Sequence, residues 1–176
     1  MTTLQIINEQ TPVTGTVRVS AAVRSITPAA VAHLPERLDG AEWQLLVHPE
    51  AMSKRHLLRT EEERSLLNTL KVQSWSADLL ARIESGRWKV AGAPVETEMM
   101  LFYTAESLCG GVMGACSLSA SGLGLLPTNK VSVSVPIFQM QAPLLVSTLE
   151  NAATGATTDI PLQENLAFFA NTHPAA

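Results

Sequence analysis

Lys130-Val131-Ser132-Val133-Ser134-Val135-Pro136-Ile137-Phe138 alternates apolar and polar residues. Period two puts Val131, Val133, Val135 and Ile137 on one face of a strand. Pro136 has no N–H to donate, so the strand belongs at a sheet edge. The stretch decides the fold class because of what surrounds it. Thr16-Val17-Arg18-Val19-Ser20-Ala21 alternates in the same way near the start of the chain, with Val17 and Val19 sharing a face. Leu4 to Ile7 is a short apolar run that reads as a first strand, and Trp43 to Val47 as a buried strand ended by Pro49.

Helical signals fill the middle. Thr27-Pro28 is a helix start, with threonine as cap and proline in the first turn. That helix stops before Pro35, and Gly40 closes the segment. Thr60-Glu61-Glu62-Glu63 has the reciprocal capping spacing, followed by Leu66, Leu67 and Leu70 on one face. Ser74 starts a second helix in which Trp75, Leu79, Leu80 and Ile83 recur at helical spacing, and Gly86 stops it. Arg87 to Ala91 is a strand, Gly92-Ala93-Pro94 a turn, and Glu98 to Thr104 a central strand or a helix. Pro143 to Leu149 is a further apolar run, Asn151 to Thr158 a loop, and Leu162, Leu166 and Phe169 mark a terminal amphipathic helix after Asp159-Ile160-Pro161. Strands, then helices, then strands is an α+β order. The expectation is a single α+β domain over residues 1–176, with a mainly antiparallel sheet and helices packed on one side.

Composition narrows the function classes. The 176 residues are 46% hydrophobic and 16% charged, which excludes a disordered chain. The formal charge of −4 disfavours a protein held on nucleic acid by phosphate contacts. Of the lysines and arginines only Lys130 lies beyond Lys89, so the C-terminal half is nearly neutral. The first residues, MTTLQIINEQTPVTG, lack a charged segment leading into a long apolar core, so no signal peptide is expected. The apolar stretch from Ser107 to Leu149 is broken by Gly, Ser, Pro and Asn, so neither a membrane span nor a membrane partner is expected. A cytoplasmic location follows, with Cys109 and Cys116 as reduced thiols whose spacing is wrong for a Cys-x-x-Cys pair.

Chemical motifs are sparse. Gly110-Gly111-Val112-Met113-Gly114 has the wrong spacing for a dinucleotide fingerprint and no Lys-Ser/Thr after it. It reads as a tight turn where small residues admit a neighbour or ligand. His33, His48, His56 and His173 make no metal-ligand spacing, so neither a metal nor a cofactor is expected. Ser117, Ser119 and Ser121 lack the Gly-x-Ser-x-Gly elbow. Lys54, Arg55, His56 and Arg59 form a basic cluster, either a solvated face or a site for a small anion. Arg82 and Arg87 flank Gly86 ahead of an apolar strand.

Several of these pieces, in order, resemble the chorismate lyase family. Trp43-Gln44-Leu45-Leu46 followed by Ala51-Met52-Ser53-Lys54-Arg55 is similar to its opening motif. Gly92-Ala93-Pro94, after the segment carrying Arg82 and Arg87, is similar to its hairpin. Leu108 to Gly114 is similar to its glycine loop, and Pro143-Leu144-Leu145-Val146 to a late strand. The resemblance implies an antiparallel sheet around a ligand cavity and cofactor-free elimination of pyruvate from chorismate, giving 4-hydroxybenzoate. It further implies that Arg82 or Arg87 pairs the ring carboxylate, that Met52 lines the ring, and that Gly111 and Gly114 border the substrate. Glu150, two residues past the family's acid position, is left as the general acid. The expected ligand is a small carboxylated aromatic molecule. The rival expectation is a non-catalytic interaction protein, such as an adaptor, chaperone or inhibitor of a bacterial protein machine. Its support is low charge, six methionines and the edge strand.

Overall fold

The computed structural model describes residues 2–58, 69–105, 107–126, 133–138 and 141–171. Six strands form one sheet in the order β3-β2-β1-β4-β5-β6: β1 Val17–Val23, β2 Glu42–Val47, β3 Trp88–Gly92, β4 Met99–Thr104, β5 Ser107–Gly114 and β6 Ser134–Ile137. The two pairings that join β1, β2 and β3 are parallel, and the three that join β1, β4, β5 and β6 are antiparallel. The class is α+β with a mostly antiparallel sheet. Its first half contains parallel crossovers, which a strand count cannot reveal.

Helix α1, Thr3–Gln10, opens the chain and corrects the strand expected at Leu4 to Ile7. Its cause is a capping box: the Gln5 amide N–H donates to Thr2 Oγ1 at 3.2 Å, and the Thr2 N–H donates to Gln5 Oε1 at 2.7 Å. Helix α2, Pro28–Ala32, starts where Thr27-Pro28 indicated, with Thr27 Oγ1 accepting from the Ala30 N–H. Short α3, Glu36–Asp39, ends at Gly40. A 3-10 turn, Pro49–Met52, and α4, Lys54–Leu57, follow β2. Helix α5, Thr69–Glu84, runs straight through Ser74 rather than starting there, and Gly86 follows it at φ 81°. The Thr60–Glu63 cap, Leu66, Leu67, Arg59, Lys130, Val131 and His173 lie outside the described residues.

Two further corrections matter for the site. Pro143 to Leu149, which the resemblance treats as starting in a strand, lies in helix α6, Ala142–Thr154, with Pro143 in its first turn. The helix also takes in Asn151 to Thr154, expected as loop. The glycine-rich Leu108 to Gly114 is strand β5, not a tight turn. Glu98 to Thr104 resolves as strand β4, and Leu162, Leu166 and Phe169 are the buried face of helix α7, Leu162–Asn171.

Alternation divides the sheet into two faces. Val17, Val19, Trp43, Leu45, Met100 and Phe102 join the larger core, under helices α1 to α5 and α7. Trp43 and Trp88, cross-strand neighbours, stack with ring centroids 4.4 Å apart. Ala22, Leu46, Met99, Leu101 and Ile137 point the other way, toward Leu145, Val146 and Leu149 of α6. Among the described residues, α6 is the one helix that covers this second face.

Candidate functional site

Because α6 roofs only part of the second face, a groove opens beside it. The register builds its floor. Ser20 of β1 lies beside Gln44 of β2, and Gln44 beside Lys89 of β3; one row on, Ala22 lies beside Leu46 and Leu46 beside Ala91. One row back, Arg18 lies between Glu42 and Tyr103. The face therefore grades from an apolar row, through a polar row that ends on Lys89, to a charged row toward the strand starts.

The groove has a volume of about 340 Å³, and Leu149, Glu150 and Ala153 of α6 form one wall. Ala156 and Thr158, in the loop after α6, close one end. That loop is pinned to the sheet. The Gly92 N–H donates to the Thr157 carbonyl at 2.8 Å, and the Thr157 N–H donates to the Gly92 carbonyl at 2.9 Å. Volumes of roughly 300–1,000 Å³ suit small organic ligands. The charged groups lining the groove are Lys89 and Glu150. Arg18 holds its guanidinium 4.5 Å from the Tyr103 ring centre. Burial raises the Tyr103 hydroxyl pKa; Arg18 opposes that shift and Glu150 adds to it. Arg18, Tyr103 and Glu150 thus share one electrostatic neighbourhood at the polar end.

The residues singled out from sequence are dispersed. Glu150 is in the groove wall and exposed. Met52 is fully buried in the larger core, where its carbonyl accepts from Asn165 Nδ2 at 2.8 Å and ties α7 down. Arg82 sits on α5, across the sheet from Glu150, with its side chain 14% exposed and ion-paired to Asp39. Arg87 is exposed just ahead of β3, and together with Arg82, Asp78 and Ser85 it lines a shallow depression. Gly111 and Gly114 are in β5, where a Cβ would strike the carbonyl oxygens of Met100 and Val133 respectively. Their smallness serves strand packing. The structure brings Arg82 to Arg87, and Glu150 to Lys89.

Sequence reasoning passed over Lys89, Gln44, Ser20 and Arg18. The signal was present for Arg18 and Ser20, which alternate with Val17 and Val19. In the basic cluster, Lys54 and Arg55 are exposed, and the Lys54 ammonium lies 3.8 Å from the Phe168 ring centre. Cys109 is exposed, Cys116 is buried, and both are free thiols. Among the described residues no helix is long and apolar enough to cross a membrane.

No family model matches the chain, and no curated protein matches it. Among solved structures it is similar to TrmBL2, an archaeal chromatin protein described as showing a novel mode of DNA binding, at 11% identity and a TM-score of 0.47. The match covers 89% of this chain and 48% of that one, so the chain spans about half the length of its neighbour. A likeness this slight bears on neither fold nor function.

Proposed function

We propose that the chain is a small-molecule-binding α+β domain whose ligand is a carboxylated molecule with an aromatic or alicyclic body. One observation carries this reading: the groove between α6 and the sheet joins an apolar floor and wall to a lysine. Leu46, Ala91 and Leu149 hold the body of the ligand, and Lys89 pairs with its carboxylate. Gln44 and Ser20 supply hydrogen bonds between the two. Pyruvate elimination from chorismate is the sharper form of the proposal. Lys89 then takes the part expected of Arg82 or Arg87. Glu150 protonates the ether oxygen as its bond to the ring breaks, and the proton that the hydroxyl-bearing ring carbon loses on aromatisation returns to the Glu150 carboxylate, while the released enol tautomerises to pyruvate.

Thermal denaturation with millimolar 4-hydroxybenzoate or chorismate tests it. Ligand at about 100 times its Kd adds roughly 2.7 kcal/mol, which raises Tm by about 5–10 °C for a chain of this length. Lys89→Met should abolish the shift and Arg82→Ala should leave it intact. Pyruvate release from chorismate, lost in Glu150→Gln, separates catalysis from binding alone. No shift with either compound, or a shift that survives Lys89→Met, rejects the reading.

The interaction-protein reading has its own observation. Val133, Val135 and Phe138 are exposed along β6, as is Leu144 at the start of α6. Pro136 limits how a partner could use this edge. The Ala115 N–H donates to the Val133 carbonyl, so residue 133 faces β5 and the alternate residues, 134 and 136, face outward. At 136 proline offers no donor to an added strand. A domain of this kind would show no shift with either compound, so the same experiment discriminates.

A further inference from the structure

The polar end of the groove adjoins a smaller cleft of about 80 Å³. Gln44 and Lys89 line both spaces, so the cleft and the groove meet at these two residues. Arg18, Arg87 and Lys89 line the cleft against a single carboxylate, Glu42. Neither Arg87 nor Lys89 has an ion-pair partner among the described residues. Arg18 is steadied by its stacking on Tyr103, which leaves the guanidinium edge free to donate. The cleft is too small for a ligand body and about the size of one compact charged group. Among the described residues three cations from β1 and the start of β3 line it with one carboxylate, Glu42, and Glu150 stands nearby in the groove wall. Arg87 and Lys89 are exposed, so water screens their mutual repulsion, and an anionic guest would gain charge-assisted hydrogen bonds from both.

We propose that the cleft is the head-group subsite of the groove, and that it takes a compact dianion, a phosphate monoester or a pair of adjacent carboxylates. This rests on the groove reading and sharpens it. The ligand is an amphiphile whose body lies under α6 and whose doubly charged head reaches Lys89, Arg87 and Arg18. Arg87 is the specificity residue: it sits on the cleft side of Lys89, away from the groove, and touches the head alone.

Calorimetric titration with benzoate, phenyl phosphate and phthalate tests the assignment. All three share an aromatic body and differ in head charge. At pH 8 at least one dianion should bind roughly tenfold tighter than benzoate. Arg87→Gln should bring that ratio below about threefold, by weakening the dianion more than benzoate, and leave the Tm of the unliganded protein unchanged. A phenyl phosphate advantage should fade below about pH 6, where its second proton returns. An advantage confined to phenyl phosphate identifies a phosphate head, and one confined to phthalate a dicarboxylate head. Equal binding of all three overturns the head-group subsite and leaves the groove standing, as does an advantage that survives Arg87→Gln. Failure of all three to bind overturns both.

Discussion

Replacing Gly111 by alanine places one methyl group where the structure has no room. The new Cβ would strike the Met100 carbonyl oxygen, with Leu101 Cδ2 at 3.2 Å and Leu101 Cα at 3.3 Å behind it. Two of these three obstacles are backbone, so no rotamer change relieves the clash, and β5 must shift against β4. Overpacking of this kind costs about 1–3 kcal/mol. Against it stands a gain of about 0.4–1 kcal/mol from a stiffer unfolded chain. The net is a loss of up to about 2.5 kcal/mol, or as much as roughly 10 °C in Tm at 2–4 °C per kcal/mol. Gly155 is the control. It has φ −97° and nothing within 4 Å of its added Cβ, so Gly155→Ala keeps only the gain and should melt about 1–4 °C higher. Thermal melts and urea titrations of both variants against the parent decide the matter, with unchanged urea slopes confirming a stability effect. Gly111→Ala melting at or above Gly155→Ala would refute the β4–β5 packing. The same variant separates two roles for Gly111. A glycine that borders substrate alters ligand affinity when changed, whereas a glycine between strands alters stability and leaves the α6 groove as it was.

Two further substitutions probe the larger core. Trp43 Nε1 donates to the Leu38 carbonyl at 2.8 Å, whereas buried Trp88 Nε1 has no acceptor among the described residues. Trp43→Phe should therefore be the more destabilising of the pair by about 1 kcal/mol in urea titration, the worth of one net hydrogen bond. The reverse order would show that the Leu38 contact is not maintained. Burial, with Glu98 second, pushes the Cys116 thiol up. The native state then holds this proton longer than the unfolded chain. The stability it contributes is intact below about pH 8.5 and falls as pH rises beyond that value. Cys116→Ala should flatten the alkaline loss. In the native parent a thiol reagent at pH 8 should modify exposed Cys109 and reach Cys116 only on unfolding.

The parts of the fold that were legible in sequence are those set by near neighbours. Val17 and Val19 reveal β1 by alternation, Thr27-Pro28 reveals α2 through its cap, and Pro136 reveals an edge because proline cannot join a second ladder. The errors share a cause. Leu4 to Ile7 and Pro143 to Val146 are four-residue apolar runs, too short for periodicity to separate helix from strand. The arbiters were available: Thr2 and Gln5 repeat the capping spacing noted at Thr60 and Glu63, and Pro143 stands in a first turn as Pro28 does. Parallel pairing of β1, β2 and β3 was illegible because pairing partners are far apart in sequence. So was the fate of Arg82, held by Asp39 from another helix. The groove was lost through one of these errors. Period two shows that Ser20, Gln44 and Lys89 point away from the Trp43 side, but not whether anything roofs them. The roof is α6, whose opening Pro-Leu-Leu-Val had been read as a strand. With α6 restored as a helix, Leu149 and Glu150 form a wall over a floor that includes Leu46 and Lys89, and Glu150 comes into the electrostatic neighbourhood of Arg18 and Tyr103. Arg82 and Arg87, expected to pair the carboxylate because of the hairpin resemblance, line neither wall nor floor of this groove, which holds Lys89 instead.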